Sequence, residues 1–251
     1  MPYYKSGDLV NYITSGFYNI SWGTKLGDLR KIIEGLINIH NVNIIHRDFH
    51  SGNIFFGNID KKNGYNDVTI GDLGLSKSAT ESSDDNNNEN YGIIPYMAPE
   101  IFNGHKYTKE TDIYSFGMIM WEFMTGRRPF WDRVHDAELI IEICGGLRPP
   151  IVTNAPEGYV DLMKKCWHSD PNRRPTAKDI REKIDKMDIN EWNDFGYPNK
   201  ITKIIESPDI GPVTKNNSGA IYKSRPLSGI IQSAMSTRSL RSQSIISEVG
   251  K

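Results

Sequence analysis

The sequence predicts a mainly α domain with a small β-hairpin set into it, followed by a disordered tail. Three observations carry that reading. Across residues 24–41, Leu26, Leu29, Ile32, Ile33, Leu36, Ile37 and His40 recur at helical spacing and form one stripe. The stretch Lys109–Thr125 is apolar almost all round, through Ile113, Phe116, Gly117, Ile119, Met120, Trp121 and Phe123, as suits a helix at the centre of a core. Ile54-Phe55-Phe56 and Val68-Thr69-Ile70 read as two short strands joined by a turn rich in Asn, Lys, Gly and Asp.

The remaining elements follow in order. Ile44-Ile45 is a short β-like pair. Residues 78–90 are almost wholly polar, with Asp84-Asp85-Asn86-Asn87-Asn88 at their centre, and are expected to form a mobile loop. Thr108 suits the N-cap of the central helix and Gly126 its stop. Further helical patterns occupy 136–144, Tyr159–Cys166 and 176–187, punctuated by Pro149-Pro150 and Pro171. Past Phe195 the chain turns to Ser, Asn, Lys and Gly with single scattered hydrophobes. Two units are therefore expected: a folded domain over 1–187 and a disordered, basic, Ser-rich tail over 196–251.

Bulk properties narrow the function classes. A chain of 251 residues can bury one substantial core. With a net charge of −1, nothing in the balance argues for nucleic acid or an anionic membrane as the main partner, and neither is expected. From residue 196 onward there are eight Lys/Arg against three Asp/Glu, so the tail carries +5 and the body −6. Two cysteines, Cys144 and Cys166, are too few for a disulfide framework and indicate a reducing compartment. The longest apolar stretch, 116–124, is interrupted by Glu122 and too short to span a bilayer, and no signal sequence opens the chain. The expected location is the cytoplasm, with the nucleus also compatible.

The chemistry-bearing residues come in a fixed order. His46-Arg47-Asp48-Phe49-His50-Ser51-Gly52-Asn53 follows a helical stretch, Asp72-Leu73-Gly74 follows the second strand, and Ala98-Pro99-Glu100 comes after the polar loop. Asp48, Asn53 and Asp72 have the spacing needed to accept a hydroxyl proton and to offer hard oxygen ligands to magnesium. The three motifs together resemble the catalytic loop, the metal-binding motif (with Leu for the commoner Phe) and the end of the activation segment of the protein kinase superfamily. Cys166-Trp167 and Tyr96-Met97-Ala98-Pro99-Glu100 look most like the tyrosine-kinase-like group. The resemblance covers residues 1–187 and implies the kinase large lobe. It implies ATP and Mg2+ as cosubstrate and cofactor, a protein substrate phosphorylated on Ser/Thr or on Tyr, an upstream activating kinase and a place in signal transduction.

Carried over residue by residue, the resemblance makes Asp48 the catalytic base, and Asn53 and Asp72 the metal ligands. His46 would pack under Leu73 in the core, beside Gly74. Arg47 would meet a phosphate on the activation loop, where Ser78, Thr80, Ser82 and Ser83 are the available acceptors. Glu100 and Arg174 look like the buried ion pair that anchors that segment, and Asp112 like the central-helix aspartate that binds the catalytic-loop backbone. Met1 to Leu9 align with the kinase hinge, so the backbones of Pro2 and Tyr4 would meet adenine, Asp8 the ribose, and Phe55 would floor the base.

Three departures from the pattern matter. His50 stands where Ser/Thr kinases carry a lysine to the γ-phosphate, and a histidine there is only partly cationic near neutral pH. Ile93 replaces the usual threonine, which removes one sign of Ser/Thr specificity. Lastly, neither a Gly-x-Gly-x-x-Gly loop nor a strand lysine occurs in the sequence. Met1 is then either an internal methionine of a longer chain or the start of a truncated relative, and the 251 residues alone are expected to transfer little phosphate. The alternative reading is a non-catalytic, pseudokinase-type scaffold. A small-molecule phosphotransferase is disfavoured by the platform that Glu100 and Arg174 build for a protein substrate.

Overall fold

The computed structural model describes residues 7–59, 66–79, 89–191 and 202–249. Helix α1 (Leu9–Gly16) starts at Asp8, whose carboxylate accepts the Asn11 N–H at 2.8 Å. Helix α2 (Trp22–Asn41) begins ahead of the apolar stripe because the Ser21 hydroxyl accepts the Thr24 N–H at 3.2 Å. Strand β1 (Ile44–Ile45) leads into the catalytic loop, and β2 (Ile54–Ile59) leaves it. Strand β3 (Asn66–Ile70) pairs antiparallel with β2 in the register Ile54↔Ile70, Phe55↔Thr69, Phe56↔Val68, with an irregularity before Ile59↔Asn66. Strand β4 (Lys77–Ser78) pairs with β1, and β5 (Tyr91–Gly92) continues the activation segment toward helix α3 (Pro99–Phe102).

Helix α4 (Lys109–Thr125) is the axis of the domain, and every residue from Thr111 to Thr125 is buried. Thr108 and Thr111 form a reciprocal capping box at its start. At its end Gly126 adopts φ +74°, and a Cβ there would stand 2.7 Å from the Phe17 ring. Only glycine satisfies both demands. Gly117 likewise lets α6 (Tyr159–Cys166) approach, since a Cβ would lie 3.0 Å from that of Cys166. Helix α5 (Ala137–Cys144) packs beside α3, and α7 (Ala177–Glu191) lays Ile180 and Ile184 against α2.

The expected disordered tail is corrected by the structure over residues 202–249. This segment runs back along the domain, adds strand β6 (Arg225–Pro226) to β5, and ends in helix α8 (Ser228–Val249) packed on α5. The composition is polar, but the scattered hydrophobes land where the lobe can bury them: Ile210 (3% exposed), Leu227 (0%), Ile231 (8%) and Ala234 (0%) all join the core. Its backbone is paired as well. Gly211 donates to the Thr125 carbonyl at 2.7 Å, Asn217 to that of Trp131 at 2.9 Å, and Leu227 to that of Asn90 at 2.8 Å. The Arg127 guanidinium adds donors to the carbonyls of Pro208, Ile210 and Gly211. A segment ordered by partners far away in sequence carries no local periodicity to announce it.

Candidate active site

The catalytic loop is pinned from below by one carboxylate. Asp112, 1% exposed on α4, accepts the His46 N–H at 2.9 Å and the Arg47 N–H at 3.0 Å. His40 Nε2, at the end of α2, donates to the same carboxylate at 2.8 Å. These bonds hold Arg47 at φ +71°, a conformation costly for a residue with a side chain and retained only where surroundings over-determine it. The kink turns the next residue, Asp48, into the site. Asn53 closes the loop, its Nδ2 donating to the Asp48 carbonyl at 2.9 Å. That bond fixes the amide's orientation and leaves its oxygen as an acceptor.

Asp48 is 6% exposed. Burial alone pushes its pKa up. The nearby His50 imidazole, the Ser224 hydroxyl and His46 outweigh it and hold the carboxyl below its ordinary value. His50 Nδ1 accepts the Gly52 N–H at 3.0 Å, so its proton sits on Nε2, which faces Asp48 Oδ2 at 3.5 Å. His46 is fully buried, donates from Nε2 to the Gly71 carbonyl at 3.1 Å, and packs edge-on against Phe49. Burial lowers its pKa and keeps it neutral.

Asp72 adopts φ +55°, which aspartate tolerates, and its Oδ1 accepts the Gly74 N–H at 3.2 Å. It is exposed, as is Gly74. Leu73 departs from expectation: it stands 47% exposed instead of covering His46. The left-handed Asp72 starts a tight turn over Leu73–Leu75, and no described residue buries that side chain.

Around this centre the anchors are buried. Arg174 meets Glu100 with two parallel bonds of 2.6 and 2.7 Å, and also donates to the carbonyls of His168 and Glu110. Arg47 lays its guanidinium over the Tyr107 ring, 4.4 Å from the centroid. Asp8 caps α1, bridges Phe55 through the backbone, and shares a cleft with His50, Ser51 and Gly52. Phe55 is half-buried, on the opposite face of β2 from the buried Ile54 and Phe56. Ser78 is half-buried in β4 opposite Ile44. Pro2, Tyr4, Thr80, Ser82 and Ser83 lie outside the described residues.

Two features escaped the sequence reading. Beneath the site, Ser51 Oγ lies 3.0 Å from Tyr96 Oη, which donates to Glu122 Oε1 at 2.7 Å. Burial pushes the Glu122 carboxyl up to about 8. Its sequence signal was Glu122 itself, an acid interrupting the apolar second half of α4. Beside the site, Tyr222 lines the cleft that Asp8, His50, Ser51 and Gly52 share, and nothing in the composition of its segment marked it.

The family comparison fits this geometry. Residues 1–184 match the model for protein tyrosine and serine/threonine kinases. Among curated relatives, one from Dictyostelium discoideum, named as a probable serine/threonine-protein kinase, is 29% identical over 83% of this chain and 12% of its own length. Cyclic GMP-binding protein C of the same organism is 34% identical over 72% of this chain and 7% of its own. The probable serine/threonine-protein kinase roco5, also from that organism, is 32% identical over 73% of this chain and 7% of its own length. The chain thus spans 12% or less of the length of these relatives. With its mainly α large lobe, this chain belongs to the protein kinase family.

Proposed function

We propose that the chain supplies the catalytic base and metal-ligand positions of an ATP- and Mg2+-dependent kinase acting on Ser/Thr hydroxyls of proteins. The observation that carries this reading is the loop pinned by Asp112, which turns Asp48 inward and orients Asn53 on one backbone. Asp48 is buried, ionised and within reach of a hydroxyl. It suits a group that orients an acceptor and receives its proton as the bond to phosphorus forms. His50, with its proton on Nε2, steadies the carboxylate.

The residues fit magnesium: Asn53 presents an amide oxygen and Asp72 a carboxylate, which are hard donors. Magnesium when bound neutralises charge developing on the phosphates. Activation fits Arg47 as the cation that a phosphate in residues 78–83 would meet. Ser/Thr specificity is supported by the names of the relatives, with Tyr the open alternative. The role expected of such a kinase is cytoplasmic signal transduction.

A scaffold role is the second reading, favoured by the C-terminal segment whose Tyr222 lines the cleft with Asp8, His50 and Ser51. The test is Asp72→Asn in the longest chain containing this region, measured by radiolabel transfer to a generic protein substrate across magnesium concentrations. The kinase reading expects a loss of at least about 100-fold with intact circular dichroism. Unchanged transfer contradicts it.

A further inference from the structure

The Arg47 side chain already has a partner within the chain. Its guanidinium lies over the Tyr107 ring, 4.4 Å from the centroid, and among the described residues no carboxylate pairs with it. Both side chains are half-buried, and a cation over a ring face is held more firmly as water is excluded. The planar guanidinium suits the contact better than an ammonium would, because it can stack on the ring.

Tyr107 is itself fixed from two directions. It directly precedes Thr108, which caps α4. Its hydroxyl donates to the Tyr91 carbonyl at 3.2 Å, in strand β5 of the activation segment. The same stretch of chain goes on to supply Asp112, whose carboxylate accepts the Arg47 N–H at 3.0 Å. Arg47 is thus gripped twice, by its backbone and by its side chain, at the residue whose φ of +71° turns Asp48 into the site. Through one ring the catalytic loop is also tied to β5, which leads on to Glu100 and its bond with Arg174. A phosphate on the activation segment would make the same tie, by bringing an anion to the same guanidinium.

We propose that Tyr107 is a positioning residue that stands in for an activating phosphate. Its ring holds Arg47, and with it the catalytic loop, in the geometry for transfer whether or not residues 78–83 are modified. An anion on that segment meets a guanidinium that is already engaged, so modification there adds little to the rate. The inference rests on the catalytic reading above and specifies how that site is regulated.

The test is radiolabel transfer to a generic protein substrate by the longest chain containing this region, with circular dichroism and ATP binding followed for every variant. A fourfold variant (Ser78→Ala, Thr80→Ala, Ser82→Ala, Ser83→Ala) removes the acceptors and is expected to keep kcat within about twofold of the parent. In that background Tyr107→Leu should lower kcat about three- to thirtyfold with KM for ATP unchanged, while Tyr107→Phe, which keeps the ring, retains most of the rate. Arg47→Gln in the same background should lose at least as much. Adding Tyr107→Leu to it should cost less than about twofold more, since both changes remove one contact. A fourfold variant that loses most of the parent's activity shows that Arg47 works through a phosphate and overturns the inference. Tyr107→Phe falling as far as Tyr107→Leu overturns it as well. So does full activity of Arg47→Gln in the fourfold background, a result that is read even where Tyr107→Leu fails to fold. In each of these cases the parent's own activity leaves the catalytic reading standing. No transfer by the parent overturns both readings.

Discussion

The catalytic loop and the C-terminal strap, residues 219–227, are held by different physics. The loop hangs on a buried polar network in which Asp112 satisfies two backbone donors and a histidine. The strap is held by a two-residue β pairing, an aromatic and cationic clamp around Tyr222, and single hydrophobes such as Leu227. Removing one member of a buried network strands the others, so the loop is all-or-none. The strap's contacts are separable.

The largest effect should come from breaking the loop's anchor. Asp112→Ala leaves two N–H groups and His40 without their acceptor, and should cost about 3–5 kcal/mol in chemical denaturation. A loss under about 1 kcal/mol would mean the loop is held some other way.

Glu122 sharpens the comparison from beneath. Its carboxyl is raised from 4.5 to about 8, so between those values the unfolded chain has released a proton that the folded chain keeps. Its contribution to stability therefore falls as pH rises through that window and levels off above it. Glu122→Gln should remove the fall, gaining on the order of 3–5 kcal/mol relative to the parent near pH 8–9. The measurement is the difference between parent and variant, because burial lowers Lys25 to about 7 and that group tilts the parent curve the opposite way above neutrality. Parallel curves would contradict the assignment.

The strap should respond more mildly. Tyr222→Ala is expected to cost about 1–2 kcal/mol at most, while amide exchange at Arg225 accelerates and the catalytic loop stays protected. Equal loss of protection in both regions would show that they unfold as one unit. Least affected is Arg241→Ala, which removes a fully exposed pair with Glu138 and should leave the melting temperature unchanged.

The same contrast explains what was legible in the sequence. Helices α2, α4 and α6 announced themselves by apolar spacing, and the hairpin by β-branched and aromatic pairs. Asp48, Asn53 and Asp72 stood out because their chemistry constrains residue type at close spacing. Tyr222 and His135 did not, because they meet only after the chain has folded back on itself. Helix α8 was hidden by its Ser-rich composition, since Ile231 and Ala234 are apolar anchors only in the presence of α5. Leu73 shows the reverse error, a residue taken for core from its place in a motif and found exposed.

The central claim is that Asp48, as this loop holds it, receives the acceptor's proton. Asp48→Asn in the longest chain containing this region keeps the volume and removes the proton acceptor. Steady-state phosphoryl transfer to a protein substrate, with circular dichroism and ATP binding followed in parallel, should fall about 100- to 10,000-fold while folding and binding are retained. Transfer within a few-fold of the parent, in a folded variant that binds ATP equally well, would contradict the account.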